Sequence, residues 1–252
     1  MPVRSAVALA LSVGLVAVGL WMSSGLGVPQ IWLFGAGLIG LVGISAESFL
    51  EKASPEGEVR GQLQAFASWI GPGLMVVAGL WLLQITPSAS QWVVDGAVAV
   101  AVGALLVGQR AGSRAEGRRG RAGRFVANLL LYMVAFVLFA LIYHTKERSL
   151  MTATAAGAVA LLAAVELMWS AEGRAPVWWM PALAGLVVAE ATWALNYWPV
   201  NGLVGGAMLL LAFYVFTGLM VAIHEGILGR RLMLEYGAVA IAGFAVVAWA
   251  VL

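Results

Sequence analysis

The chain has 252 residues, of which 62% are hydrophobic and only 10% are charged. An average soluble domain carries about 25% charged residues, so most of this surface does not meet water and we predict an integral membrane protein. The chain contains no cysteine, which excludes disulfides, thiolate-ligated metals and cysteine nucleophiles. The formal net charge of +2 gives no indication of nucleic-acid binding.

Nine apolar runs approach the length of about 20 residues that a bilayer-spanning helix needs. In chain order these predicted helices are Ser5–Met22, Val28–Ser48, Phe66–Ile85, Trp92–Val107, Phe125–His144, Met151–Trp169, Val177–Trp198, Leu203–Ile223 and Tyr236–Val251. The predicted fold class is all-α, a polytopic bundle of transmembrane helices that forms one membrane domain over residues 1–252. The first run is long and no cleavage site follows it, so we expect a retained anchor instead of a signal peptide.

Lysine and arginine predict the orientation, because they favour the cytoplasmic side in short loops. With a cytoplasmic N-terminus, twelve of the fourteen Lys and Arg residues fall on the inside, and only Lys146 and Arg148 fall outside. We therefore predict a multi-pass protein of the plasma (cytoplasmic) membrane with its N-terminus inside and its C-terminus outside.

Two turns share a Trp-x-Leu-amide-x-x-Pro pattern, at Trp81–Pro87 and at Trp193–Pro199. They indicate a 4+4+1 arrangement, with parallel tandem halves at residues 1–112 and 113–225 and a final helix at 232–252. The alternative is that turns at a membrane interface reuse Trp, an amide and Pro for common reasons.

Glu190 is the residue most costly to place in a bilayer, since fourteen uncharged residues precede it and more than thirty follow it. Acids within membrane spans usually face the protein interior or a water-filled cavity, so we expect Glu190 to point into the bundle. The candidate intramembrane polar site comprises Glu190, Trp193, Asn196, Tyr197, Thr154 and Tyr214. Thr154 and Tyr214 enter as hydrogen-bond partners at comparable depth. A structural role and a functional role for Glu190 both stay open.

A second candidate site is the most basic segment of the chain. Its arginines are Arg110, Arg114, Arg118, Arg119, Arg121 and Arg124. One interpretation is a binding patch, for anionic lipid headgroups or for a partner's acidic surface. The other is a topology determinant with no ligand. Four other acids, Asp95, Glu47, Glu166 and Glu235, lie near predicted membrane boundaries, where we expect solvated helix ends.

No catalytic, cofactor or metal site is predicted. His224-Glu225 begins like a zinc-binding His-Glu-x-x-His motif, but Leu228 stands where the second histidine is required. Lysine is absent from every predicted span, which excludes a retinal Schiff base. The leading hypothesis is a non-enzymatic structural or accessory subunit that packs in the bilayer with itself or with other membrane proteins. The alternative is a transporter or permease for a small solute or lipid that uses Glu190.

The second half of the chain, from Phe125 onward, resembles a family of uncharacterised bacterial multi-pass membrane proteins, a domain of unknown function. The resemblance rests on Leu141–Ser149, Glu190–Pro199 and Leu234–Tyr236. It brings no activity, cofactor or residue role, and it implies that the Glu190 stretch is a feature of the family.

Overall fold

Nine α-helices make up nearly all of the part of the chain that the computed structural model describes, namely residues 3–50, 59–114, 117–145, 149–169, 177–227 and 229–251. The helices are α1 (Val3–Ser23), α2 (Val28–Leu50), α3 (Val59–Ile85), α4 (Gln91–Arg114), α5 (Gly117–Thr145), α6 (Ser149–Trp169), α7 (Trp179–Leu195), α8 (Gly202–Glu225) and α9 (Arg230–Val251). A 3-10 turn at Ser88–Ser90 precedes α4. The described part of the chain contains no strand. The prediction of an all-α fold is confirmed.

Seven of these helices, α1 to α6 and α8, are long and apolar enough to cross a membrane. The protein is therefore membrane-embedded. In the described part of the chain, α7 and α9 are not counted among these seven. α7 is apolar but has only 17 residues, about 26 Å of helix against a hydrocarbon core of about 30 Å. α9 begins with Arg230 and Arg231 and carries Glu235 in its second turn, and its side chains from residue 247 onward lie outside the described part.

Two helices begin well before their apolar runs. α3 begins at Val59 and continues through Pro72, where the sequence predicts a kink or a late helix start. α5 begins at Gly117, eight residues before the predicted span at Phe125. The second half of the basic segment is therefore the first two turns of a helix and not a loop.

The orientation stays a prediction, and four of the residues that carry it, Lys52, Lys146, Arg148 and Arg174, lie outside the described residues.

The helices group into two compact units. The first contains α1 to α4 and the part of α5 up to Val134, and the second contains α5 from Ala135 together with α6 to α9. The tandem halves at residues 1–112 and 113–225 stay a prediction.

In the first unit, α1 to α4 form a four-helix bundle in which each helix packs on the next and α1 also packs on α4. Glycines allow this close approach, because a Cβ at Gly19 would lie 2.6 Å from the Leu38 side chain. A polar contact joins α1 to α2 inside the bundle, where Ser12 Oγ lies 2.9 Å from Ser45 Oγ. Within lipid, such small residues and hydroxyl pairs hold helices together, since apolar surface alone does not favour contact between them.

In the second unit, α8 packs on α7 and on α9. α6 crosses α7 at a glycine pair, where a Cβ at Gly157 would lie 2.9 Å from the carbonyl oxygen of Gly185. α5 crosses α8 equally closely, since a Cβ at Gly206 would lie 2.7 Å from the backbone nitrogen of Ala140. Buried Tyr143 completes this contact by donating its hydroxyl hydrogen to the Leu195 carbonyl at the end of α7, at 2.5 Å.

Candidate intramembrane polar site

Glu190 lies on the exposed surface of α7, so the expectation that it points into the bundle is wrong for this chain. The buried face of α7 includes Gly185, Val188 and Thr192. Each residue of an α-helix is rotated by about 100° from the one before it, so Glu190 points roughly away from Val188 and Thr192. The contact between Gly185 and α6 determines this rotation, because it needs the glycine side of α7 to face inward.

The depth of Glu190 also differs from the prediction. The helix ends at Leu195 instead of Trp198, so Glu190 is only about 7.5 Å from the end of α7 and about 16 Å from its beginning. The carboxyl group is thus within the last third of a short span. A side chain at this depth is less costly than one at the centre, because it can extend toward the headgroups.

The predicted hydrogen-bond partners are engaged elsewhere. The Thr154 hydroxyl bonds within its own helix, at 2.8 Å from the Leu150 carbonyl oxygen. The Tyr214 ring packs against Tyr236 of α9, with ring centroids 5.9 Å apart. Among the described residues, Glu190 has no hydrogen bond or ion pair. The structure does not bring these three polar residues together.

The structure does bring together an exposed row on α7. Ala182, Leu186, Glu190 and Ala194 follow one another at four-residue spacing, and all four are exposed. Trp193 and, two residues past the end of α7, Tyr197 flank the row on the same side and are also exposed. Asn196 is partly buried, and its buried Nδ2 has no hydrogen-bond partner among the described residues. We call the six exposed residues the α7 face, namely Ala182, Leu186, Glu190, Trp193, Ala194 and Tyr197. Asn196 is not part of it.

The basic segment divides into two parts. Arg110 is only 9% exposed, and its Nη1 donates to the Phe49 carbonyl oxygen at 3.0 Å. Its guanidinium carbon also lies 4.5 Å from the centre of the Phe49 ring. A cation is favourable there, because the last carbonyls of α2 have no partner within that helix. Arg110 therefore closes the end of α2 and does not belong to a surface patch, which corrects the prediction for this residue.

The other described arginines of the segment are exposed on α5. These are Arg118, Arg119, Arg121 and Arg124. Arg124 also donates from Nη1 to the Gly112 carbonyl oxygen at 2.8 Å. The side chain of Arg114 lies outside the described residues. The predicted basic patch is thus reduced to four arginines on the first two turns of one helix.

A family model described as "Protein of unknown function (DUF5656)" matches residues 7–250. The chain belongs to the DUF5656 family. The resemblance inferred from the second half of the chain is therefore too narrow, because the DUF5656 match covers nearly the whole chain and includes both units. No curated protein and no solved structure matches the chain.

Two acids of this DUF5656 chain are buried although we expected solvated helix ends. Asp95 is 8% exposed and Glu166 is 4% exposed, and the Oδ1 atom of Asp95 is buried with no hydrogen bond among the described residues. A periodic signal for Asp95 was present in the sequence. Asp95, Ala99 and Val102 recur at helical spacing, and the last two are buried. The described residues include no cluster of three or more potential metal ligands.

Proposed function

We propose that the protein is a non-enzymatic membrane subunit that binds a second helix in the bilayer through the α7 face. The observation that supports this is the exposure of Glu190 in an apolar row with no hydrogen-bond partner among the described residues. A carboxyl group that faces lipid is unfavourable even in the last third of a span, although it costs less than the roughly 2.5–3.5 kcal/mol that insertion scales give for a charged residue at the centre. A partner helix that offers a hydrogen bond at this depth lowers that cost.

The composition of the α7 face suits such a contact. Ala182 and Ala194 lie one turn on each side of the Leu186–Glu190 pair, and their small side chains let a second backbone approach. Trp193 lies near the end of the helix, at the depth where tryptophan favours the membrane interface. In a two-fold symmetric pair each residue meets the same region of the other copy. Self-association is therefore the first arrangement to test, and another membrane protein is the second.

Cysteine cross-linking tests this proposal directly, because the chain has no cysteine of its own. We expect Leu186→Cys to form a disulfide-linked dimer in native membranes. The matched control is Leu203→Cys, an exposed leucine at the start of the next helix, which should stay monomeric. If neither variant cross-links, and the protein extracted in mild detergent has the mass of a monomer without co-purifying proteins, the proposal is wrong.

Substitution of Glu190 separates the polar contact from general packing. Glu190→Gln retains a donor and an acceptor, and we expect it to leave the Leu186→Cys cross-link unchanged. Glu190→Leu removes both the donor and the acceptor, and leucine is favourable in lipid. It should reduce the cross-link strongly, since apolar surface does not drive association in a bilayer. An equally strong cross-link in the Glu190→Leu protein would show that the carboxyl group is not part of the contact.

A transporter is the second candidate, and the burial of two acids favours it. Asp95 and Glu166 are buried acids in spanning helices, the type of residue that marks ion or proton pathways. This version replaces Glu190 by those two acids. In proteoliposomes with an imposed pH gradient, the native protein should dissipate the gradient, and Asp95→Asn or Glu166→Gln should slow it. Equal dissipation in all three and in protein-free vesicles would reject the transporter candidate for protons.

The membrane and the orientation form part of the same proposal. We place the protein in the plasma (cytoplasmic) membrane with its N-terminus inside, on the asymmetry of lysine and arginine between the predicted loops.

A further inference from the structure

The first two turns of α5 carry four exposed arginines within seven residues. We propose that they bind the phosphate groups of anionic phospholipids in the bilayer that holds the protein. We define the α5 arginine cluster as Arg118, Arg119, Arg121 and Arg124. This inference is independent of the proposed contact through α7.

The arrangement of the cluster on its helix concentrates positive charge. Arg118, Arg121 and Arg124 recur at three-residue spacing, which places them within an arc of about 120° on one side of α5. Arg119 lies about 100° outside that arc, on the other side of Arg118. The guanidinium group has a planar set of donors that matches the geometry of phosphate oxygens, so a cluster on one arc can hold a phosphate from two sides.

The arginines have no acidic partner in the described part of the chain. Arg118, Arg119 and Arg121 make no hydrogen bond or ion pair there, and Arg124 reaches only the Gly112 carbonyl. The first turn of α5 also contains no acidic residue. Four like charges near the positive end of a helix dipole repel one another and oppose the helix itself. An anion bound from outside relieves both effects.

The position of the cluster relative to the apolar surface identifies the anion. Arg121, Phe125, Leu129 and Met133 follow one another at four-residue spacing, and all four are exposed. Phe125 is 67% exposed directly beside Arg124. The same side of α5 is therefore basic for two turns and then apolar over about 12 Å, from Phe125 to Met133. A surface of this kind places guanidinium groups at the level of lipid phosphates and the apolar side chains among acyl chains.

Arg110 marks the limit of the site. It belongs to the same sequence cluster, but it is buried and bonded to the end of α2, so it is not available to lipid. The proposal therefore predicts that only the α5 part of the basic segment contributes to lipid binding.

Native mass spectrometry of the full-length chain tests the proposal. The protein is released from nanodiscs that contain equal amounts of zwitterionic phosphatidylcholine and anionic phosphatidylglycerol, and the retained lipids are counted. We expect phosphatidylglycerol to be enriched on the native protein. Arg118→Gln/Arg121→Gln should reduce that enrichment by about 10-fold or more, since each basic residue near an anionic surface contributes about a five-fold effect.

The matched control is Arg230→Gln/Arg231→Gln, which removes two exposed arginines from the start of α9 and changes the net charge equally. It should leave the enrichment nearly unchanged. The conservative variant Arg118→Lys/Arg121→Lys retains the charges and should preserve most of the enrichment. A cooperative thermal unfolding transition in detergent shows that each double variant is folded.

Three outcomes would overturn the proposal. Equal loss in the α5 and α9 double variants would mean that net charge alone attracts the lipid. An unchanged enrichment in Arg118→Gln/Arg121→Gln would exclude the cluster as the site. Loss of a co-purifying acidic protein in that variant, with lipid enrichment intact, would assign the cluster to a protein partner.

Discussion

The crossing of α5 and α8 offers the sharpest test of the second unit, through Gly206→Ala. A methyl group at Gly206 would lie 2.7 Å from both the Cα and the backbone nitrogen of Ala140. Carbon atoms in contact normally stay about 3.5–4.0 Å apart, so the helices would have to separate by about 1 Å. A flexible side chain could move aside, but the backbone of α5 cannot.

The expected loss of stability follows from two opposing effects. Overpacking of this kind costs about 1–3 kcal/mol. Alanine recovers about 0.5–1 kcal/mol, because glycine is the poorer residue in a helix interior. The net loss is thus about 0.5–2 kcal/mol. The separation also loosens a second close contact on the same face of α8. There, a Cβ at Gly202 would lie 2.8 Å from the Cβ of His144 in α5.

The assay is the midpoint of unfolding of the detergent-solubilised protein during titration with a denaturing detergent. The matched control is Gly237→Ala on α9, where a methyl group would meet nothing within 4 Å. It should stabilise the protein slightly, because only the higher helix propensity of alanine acts there. Gly206→Ala should shift the midpoint in the opposite direction. If both variants are stabilised to the same extent, the close contact between α5 and α8 is wrong.

Four further predictions use the same or simpler measurements. Tyr143→Phe removes the hydroxyl that bonds the end of α7 and should lower the unfolding free energy by about 1 kcal/mol; an unchanged midpoint would show that the bond contributes nothing. Arg110→Leu leaves the last turn of α2 without its donor and should cost about 1–3 kcal/mol, so a neutral result would contradict the assignment of this arginine as a helix cap. Asp95→Asn should be neutral or stabilising, because the carboxylate has no described partner to lose, and clear destabilisation would reveal one. Reporter fusions after Arg119 should read cytoplasmic and fusions after Leu252 external, and the reverse pair would refute the orientation.

Some individual positions show why local patterns succeed or fail. The sequence Asn201-Gly202 favours a tight turn, but Asn201 caps α8 by accepting a hydrogen bond from the Val204 backbone at 2.9 Å. Its neighbour Gly202 is needed for the close approach of α5, and its backbone is helical. Three glycines of α2 lie close together in the sequence, yet Gly35 faces Leu80, whereas a Cβ at Gly37 or Gly40 would meet nothing within 4 Å. Spacing alone did not distinguish these roles.

The sequence by itself determined the membrane class, the all-α fold and the approximate positions of nine helices, because these depend on apolar composition over about 20 residues. Only the tertiary structure decided which side of each helix faces inward. It exposed Glu190, buried Asp95 and Glu166, and turned Arg110 from the surface to the end of α2. The physical reason is that lipid and protein interior are both apolar, so the two sides of a spanning helix have similar residues. The rotation of α7 then depends on a contact between two glycines on separate helices. The hydrophobic pattern within α7 does not indicate which side faces inward.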